Sequence, residues 1–422
     1  MVRFRLILSR CLVFGLAIVS SGSMAANVVA DWKQIGETTI SGSGRKNAVS
    51  LPYYAYLSVA MYDAVTAIDR RYKPFGVHFH APRGASADAA AATAAHDVLV
   101  HYFPAQTAML DTDLENSLSA IPDTQSKTDG IAVGHGVAAQ WVALRTGDGL
   151  EAPLVFTPGH GPGIWEPVPT YPAAPPNTPP PPVGVWLRQF KPFALVSADQ
   201  FLEDVPPPPA LTSERWTRDF NQTKDYGALN STVRTAEQTE IGRFWTDDAG
   251  VQYSRAMRAL MAAQALDTPR SARLSAMGSV ALSDAVTACF NAKYHYAFWR
   301  PYTAIHDADP SVNPETMPDP SWIPLAVTPG HPEYPAAHGC VTQALMDALT
   351  AFFGTDEIAF VVTSTVTGTT HTFTNFEDVV REVDNARVYG GMHYRNSTKQ
   401  GNRLGSRVAE YMLKHHFRGD DD

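Results

Sequence analysis

The stretch SARLSAMGSVALSDAVTACFNAKYHYAFWRP, residues 271–301, carries the strongest helical signal of the chain. We expect one long helix from Ser271 to Arg300, because Pro301 disfavours helical geometry at the residue before it. Lys293 and Arg300 are nearly two turns apart, so both side chains should leave the same face, with Arg300 at the helix C-terminal end. The aromatic residues around them favour burial against an anion over a solvent-exposed pair of cations.

A second basic cluster, His331-Pro-Glu-Tyr-Pro-Ala-Ala-His338-Gly339, precedes an apolar run from Val341 to Phe353 that reads as a helix. His338 should therefore lie near a helix N-terminus, where unpaired backbone N–H groups attract anions. A histidine there can donate or accept a proton. Taken alone, a capping or core histidine is the more common explanation, but the neighbouring clusters favour a site.

The third cluster runs from Arg387 to His393, and the glycines at 390 and 391 permit a close backbone approach. Ser397 and Gln400 have capping-box spacing, so a helix is predicted to begin at Ser397, with His393 just ahead of it. The planar guanidinium of Arg387 matches a tetrahedral oxyanion. The alternative is a surface ion pair of Arg387 and a loop histidine.

The composition makes this basic concentration unusual. The formal net charge is −9, which argues against nucleic acid as a partner, so any anion site must be a local basic pocket. A hydrophobic content of 45% with 18% charged residues is typical of a globular protein. Cys289 and Cys340 could form a disulfide, but two buried thiols are the more common arrangement.

The first 25 residues resemble a secretory signal. Three arginines at 3, 5 and 10 precede a short apolar run, Cys11 to Val19, and Ser23-Met24-Ala25 supplies a cleavage site. We expect cleavage and a periplasmic or secreted protein. Because the apolar run is short for a bilayer span and no later stretch is long and apolar enough for one, no membrane insertion is expected after cleavage.

The remaining helical signals predict an all-α fold, a bundle of roughly ten helices. Residues 26–152 form an N-terminal helical part, 153–209 a Pro-rich non-helical belt, and 210–422 a C-terminal helical part that holds the site. The aromatic residues of the belt favour packing against the helices over a free linker. Residues 360–374 are predicted to be a loop or hairpin. The other helices are predicted at 46–68, 86–103, 105–120, 126–144, 235–246, 250–266, 340–353, 375–386 and 397–416.

Together, the three clusters resemble the signature of vanadium-dependent haloperoxidases and type 2 phosphatidic-acid phosphatases, in particular the soluble bacterial haloperoxidase-like branch. That signature reads Lys-x6-Arg-Pro, then Pro-Ser-Gly-His, then Ser-Arg-x5-His-x3-Asp. The first motif matches in full at Lys293, Arg300 and Pro301, and the other two match in part, in the same order.

The resemblance implies a role for each matching residue. Lys293, Arg300, Arg387 and the backbone N–H of Ala337 would bind the oxygens of vanadate, the implied cofactor, or of phosphate. His338 would be the general acid–base. His393 would be the axial ligand of the vanadium, or the nucleophile of a phosphatase. His331 matches a histidine of bromoperoxidases, which implies bromide rather than chloride.

The chain departs from the signature at four positions. Ala336 and Ala386 replace two serines, Ala337 replaces a glycine, and Ser397 replaces the aspartate that orients the axial histidine in family members. Asp384 and Glu382 are the two candidates for a carboxylate that orients His393 in place of that aspartate.

These observations predict an exported, vanadate-dependent haloperoxidase-like enzyme. Its partners would be hydrogen peroxide, a halide, with bromide favoured, and an organic acceptor. The first alternative is an acid phosphatase on the same fold, acting on a phosphate ester, and the second is a non-catalytic oxyanion-binding protein. The sequence is compatible with a homo-oligomer and does not determine the oligomeric state.

Overall fold

The computed structural model describes residues 27–169 and 179–417. In this part the chain forms thirteen α-helices and one β-hairpin, so the all-α prediction is confirmed. The predicted signal lies outside the described residues. The helices are α1 Val28–Gly42, α2 Leu51–Asp69, α3 Ala87–Tyr102, α4 Thr107–Ser119, α5 Gln125–Leu144, α6 Glu214–Gly227, α7 Ala236–Phe244, α8 Ala249–Ala263, α9 Thr268–Tyr296, α10 Pro301–Asp307, α11 Ala337–Phe353, α12 Phe376–Tyr389 and α13 Arg395–His415.

Three of these helices were not predicted: α1, α6 and α10. Helix α6 has a largely charged sequence that buries only a narrow stripe, in which Trp216, Phe220 and Thr223 follow each other at helical spacing. Helix α1 is capped by Asn27, whose side chain accepts a hydrogen bond from Ala30 N. Helix α10 is only two turns long. The count of roughly ten was therefore too low.

The prediction that Lys293 and Arg300 share one helix face is wrong. Helix α9 ends at Tyr296 because Ala297 adopts a left-handed conformation, with φ 43°. Arg300 is extended, with φ −79° and ψ 156°, and it precedes α10, whose first residue is Pro301. The two cations therefore reach the site from opposite sides of a turn.

Helix α9 is the central element of the fold, and it packs against α2 on one side and α11 on another. The contact with α2 contains a buried chain of hydroxyl groups, in which Ser58 bridges Ser275 and Ser279 through hydrogen bonds of 2.9 Å. Small residues at these positions allow the two helices to approach closely. Helix α9 also binds the Pro-rich belt through Asp284. This carboxylate accepts hydrogen bonds from three consecutive backbone N–H groups of the belt, at residues 193–195.

The described parts of the belt, 153–169 and 179–209, are packed against the helices. Trp165 and Phe190 are buried, and neither part contains an α-helix. The belt also fixes the turn between α9 and α10, because Trp165 N donates to Ala297 O and Trp299 N donates to Gly163 O. The Pro-rich segment thus helps to place Arg300.

Helices α11 and α13 are in backbone contact. A Cβ atom added at Gly401 or Gly405, both on α13, would lie 2.5 Å from Ala336 O and 2.3 Å from Cys340 O, respectively. Only glycine permits this approach. Because α11 carries His338 and α13 follows His393, the contact fixes the spacing of the two site segments.

The region 360–374 forms an antiparallel hairpin of β1, Phe360–Thr363, and β2, Thr370–Phe373. Cys289 and Cys340 are both buried free thiols. Among the described residues, no helix combines the length and the apolar character needed to span a bilayer.

Candidate functional site

Lys293, in the last turn of α9, is completely buried. Its Nζ donates hydrogen bonds of 2.9 Å to the carbonyl oxygens of Pro332 and Glu333. Burial lowers the pKa of Lys293 to about 8, which still leaves the ammonium group mainly charged at neutral pH. The ammonium group has three donors, so one N–H remains beyond these two bonds.

Arg300 joins the second and third clusters. Its Nε donates to His331 O at 2.9 Å, and one terminal nitrogen donates to Met392 O at 2.8 Å. The same nitrogen lies 3.1 Å from His393 Nε2, and the other lies 3.1 Å from His331 Nδ1. Burial lowers the pKa of Arg300 to about 10, so the guanidinium remains charged. His393 Nε2 must accept here, because arginine can only donate. His331 Nδ1 lies between Arg300 and Pro332 O, which is 3.2 Å away and can only accept, so its role depends on the tautomer.

Glu333 holds His393 in one orientation. Its Oε1 lies 2.8 Å from His393 Nδ1 and accepts from Tyr394 N at 3.1 Å, while its Oε2 accepts from the Ser397 hydroxyl at 2.7 Å. A carboxylate at Nδ1 fixes the tautomer that carries the proton there, which leaves the lone pair on Nε2. Burial raises the pKa of Glu333 to about 7, opposed by the charge of Lys293.

This arrangement corrects two predictions. Neither Asp384 nor Glu382 reaches His393: Asp384 accepts from Asn402, and Glu382 accepts from the Trp245 indole. Ser397 does not cap a helix, because α13 begins two residues earlier and the Ser397 hydroxyl donates to Glu333 instead. Ser397 thus supports the carboxylate through a hydrogen bond.

Arg387, in the last turn of α12, is buried at the opposite side of the site. One terminal nitrogen donates to Trp245 O at 2.7 Å, and the other lies 2.9 Å from Met392 Sδ. Its Nε is buried without a hydrogen-bond partner among the described residues. Burial, together with the charge of Arg300, lowers the pKa of Arg387 to about 9.

His338 lies in the first turn of α11, as predicted for a residue near a helix N-terminus. In the described part of the protein its Nε2 is likewise buried without a partner. Burial and the charges of Arg387, Lys293 and Arg300 hold the pKa of His338 well below its ordinary value, so the ring is neutral. The N-terminus of α11 has no side-chain cap, because Ala336 precedes it, and the N–H groups of its first turn lack helical partners.

A cavity of about 730 Å³ opens onto these groups. Its inner wall contains His331, Ala337, His338, Arg387 and His393. Lys293 and Arg300 are absent from this wall. They lie behind it, where Arg300 contacts both His331 and His393.

The donor set fits a bound tetrahedral oxyanion such as vanadate or phosphate. The site holds three buried cations, Lys293, Arg300 and Arg387, and one buried carboxylate, Glu333, so it has an excess of positive charge. Arg387 Nε and His338 Nε2 are both unsatisfied, and buried polar atoms of this kind normally have a partner. An oxyanion supplies both the negative charge and the missing acceptors.

Sequence reasoning missed Glu333, Trp245 and Met392. Glu333 had a signal, since it is the one acidic residue in the cluster 331–339. Trp245 and Met392 had none, because they contact Arg387 through a carbonyl oxygen and a sulfur atom.

Comparison with known proteins identifies chains of the same fold. Residues 273–419 match the model of the VCPO second helical-bundle domain. A crystal structure of a bacterial vanadium-dependent iodoperoxidase has a TM-score of 0.78 and 22% identity, and the match covers 93% of this chain and 97% of that one. A holo-type bacterial vanadium-dependent chloroperoxidase has a TM-score of 0.66 and 15% identity, with coverage of 93% and 97%. No curated protein sequence matches the chain.

The fold is therefore that of a helical protein with a cluster of buried cations and histidines at one end of a cavity. More specifically, the chain has the vanadium haloperoxidase fold, and the predicted resemblance to these proteins is confirmed.

Proposed function

We propose that the protein is a vanadate-dependent haloperoxidase that oxidises a halide with hydrogen peroxide. The observation that carries this proposal is the pairing of His393 with Glu333 at Nδ1, beside three buried cations and the unsatisfied Nε2 of His338. This pairing leaves the lone pair on His393 Nε2, on the wall of a positively charged cavity, and that lone pair would pass from its hydrogen bond with Arg300 to the vanadium.

Each residue has a defined task in this proposal. Arg387 would hold the vanadate oxygens from the cavity wall, Lys293 and Arg300 would offset their charge from behind that wall, and His393 Nε2 would be the ligand of the vanadium. When bound, vanadate activates hydrogen peroxide for attack by the halide. The neutral His338 accepts a proton at Nε2 and returns it, and its low pKa keeps this nitrogen available near neutral pH.

For the halide we propose bromide, with iodide next. His331 lines the cavity wall and is held neutral, because burial lowers its pKa well below the ordinary value. The similar structures are described as an iodoperoxidase and chloroperoxidases. We also propose export to the periplasm or the medium, on the basis of residues 1–25.

The test uses the purified protein, freed of bound oxyanions by dialysis. Bromination of an organic dye with bromide and peroxide is measured with and without vanadate, and hydrolysis of a generic phosphomonoester is measured in parallel. Vanadate-dependent bromination supports the proposal. Phosphate ester hydrolysis that vanadate inhibits supports the acid phosphatase instead, and neither activity leaves a non-catalytic oxyanion-binding protein.

The vanadium ligand has a sharper test in His393→Ala. Vanadate affinity, measured by calorimetric titration, should fall by more than the roughly 10- to 100-fold that loss of a supporting residue costs. His295→Ala is the matched control, since His295 is exposed on the last turn of α9. Unchanged affinity in His393→Ala would show that another residue binds the vanadium.

A further inference from the structure

We propose that the outer part of the cavity binds the organic acceptor directly, and that this acceptor is an organic anion with an apolar body of one to three rings. The inference rests on the proposed function for the identity of the reaction, but the binding site itself is argued from the cavity. Its volume of about 730 Å³ lies within the roughly 300–1,000 Å³ typical of small-molecule sites.

The wall between the oxyanion pocket and the surface is aliphatic. Buried side chains such as Leu51, Val286 and Val341 form its deeper part. At the rim, Val183, Val327 and Val366 come from three separate segments, yet all three are exposed, by 40%, 52% and 54%. Exposed apolar side chains that converge on one opening indicate an apolar ligand, whereas single exposed valines elsewhere need no explanation.

The outer wall carries two unpaired positive charges and one carboxylate. Lys46 and Arg243 both line the cavity and are exposed, and no ion pair of either side chain is present in the described part of the chain. The one carboxylate on the wall, Asp247, is already engaged. It pairs with Arg255 at 3.7 Å and accepts from Thr365 N and the Thr365 hydroxyl at 2.7 and 2.9 Å. Two free cations in a chain of net charge −9 favour an anionic ligand.

Neither feature alone would select this ligand. The cations would attract any anion, including the halide, and the valines would accept any apolar molecule. Together they favour a molecule that places its apolar body along the valines and its charged group beside Lys46 and Arg243. The body then lies next to His338 and His393 on the inner wall.

This placement suits halogen transfer to carbon. Hypobromous acid, the product of the proposed reaction, would form at the inner wall. A carbon of the acceptor donates its electron pair to bromine, and the Br–O bond breaks. The displaced proton of that carbon joins the hydroxide, so that water leaves and a C–Br bond replaces a C–H bond. A bound acceptor would receive the bromine before the hypobromous acid diffuses away.

The test compares two fluorescent probes with the same apolar body. 1-Anilinonaphthalene-8-sulfonate carries one negative charge, and N-phenyl-1-naphthylamine carries none. Both are titrated into protein saturated with vanadate, so that the sulfonate cannot occupy the oxyanion pocket. We expect one site, with the sulfonate bound about three- to tenfold more tightly, as two exposed ion pairs would give.

Three variants locate the site. The double variant Lys46→Met/Arg243→Met should abolish the preference for the sulfonate, while Arg83→Met, at an exposed arginine outside the cavity, should retain it. Val327→Ser should weaken both probes. Equal affinity of the two probes for the parent, or a preference that survives in the double variant, would overturn the proposal. If the probes bind as expected but bromination is absent, the binding site stands and the proposed function falls.

Discussion

Glu333 shows how a single carboxylate can define the chemistry of a site that is otherwise basic. It is completely buried and bonded to His393, Tyr394 and Ser397. The signature aspartate four residues after the histidine is absent from this chain, and a residue from a different segment supplies the carboxylate. Its partner Ser397 occupies the position of the missing aspartate, so the two replacements are coupled through one hydrogen bond.

Glu333→Gln should therefore weaken vanadate binding by about 10- to 100-fold without unfolding the protein. An amide oxygen carries no full charge and cannot hold His393 Nδ1–H as strongly as a carboxylate does. Calorimetric titration with vanadate measures the effect. The matched control is Asp384→Asn, at a carboxylate that does not reach His393. Equal losses in the two variants would contradict the positioning role of Glu333.

The sequence indicated which basic residues cluster, but it did not predict the turn at Ala297 or the contact between Glu333 and His393. The sequence singled out Lys293 and Arg300, which the structure brings close to each other, but not on one helix face. Nothing in the sequence marks Ala297 as left-handed, since alanine usually continues a helix. Glu333 was overlooked because its partner His393 is distant in sequence. Such pairings depend on tertiary packing, which local patterns do not encode.

Helix α11 lacks an N-terminal cap because Ala336 replaces the serine of the signature. Its N-cap residue, Ala336, has the extended geometry of a cap, with φ −72° and ψ 120°, but no side-chain oxygen. Ala336→Ser should add the missing hydrogen bond and stabilise the protein by about 1 kcal/mol, as N-cap serines do. Chemical denaturation measures this gain.

Ala337→Ser provides the comparison, because residue 337 lies inside the helix and gains no cap. We also expect Ala336→Ser to bind vanadate more tightly than the parent, since it restores a hydroxyl group beside the site. A stability of Ala336→Ser no greater than that of Ala337→Ser would show that the cap position is strained.

The hairpin is attached to the helices through a histidine that responds to pH. His371, on β2, lies 2.7 Å from Glu382 on α12 and 2.9 Å from Glu240 on α7. Burial lowers the pKa of His371, but the hydrogen bonds and charges of Glu382 and Glu240 outweigh it and raise the pKa above 6.5. Protonated His371 therefore stabilises the folded state. This contribution is complete below about pH 6.5 and is lost as the pH rises through the pKa of His371 in the folded protein.

His371→Gln should remove this dependence. The melting temperature is measured for both proteins at several pH values from slightly acidic to slightly basic. As the pH rises, the melting temperature of the parent should fall relative to that of the variant. Parallel curves for the two proteins would show that the protonation of His371 does not contribute to stability.

At the scale of the whole molecule, sequence patterns identified most of the helices, because apolar residues at helical spacing persist through them. The exceptions have physical causes. Helix α6 is stabilised by one narrow buried stripe in a charged sequence, and α10 is too short to show a period. The packing of the belt was expected from its aromatic residues, but its bonds to the α9–α10 turn depend on tertiary contacts.

The excess positive charge in the core links ligand binding to global stability. The three buried cations repel each other, one carboxylate offsets this repulsion only in part, and a bound oxyanion would offset more of it, so vanadate should raise the melting temperature. At a concentration about 100 times the dissociation constant, the gain is about 2.7 kcal/mol. Thermal scans with and without vanadate measure it, and phosphate should act in the same direction. Arg387→Ala should respond much less, and an equal response would place the bound oxyanion elsewhere.

The backbone contact between α11 and α13 limits how this protein can evolve. A side chain larger than hydrogen at Gly401 or Gly405 would collide with a carbonyl oxygen of the other helix. The separation of the segments bearing His338 and His393 is therefore set by peptide geometry, and point mutations at this contact cannot adjust it gradually. Substitutions at the exposed valines of the cavity mouth, by contrast, would leave that spacing intact.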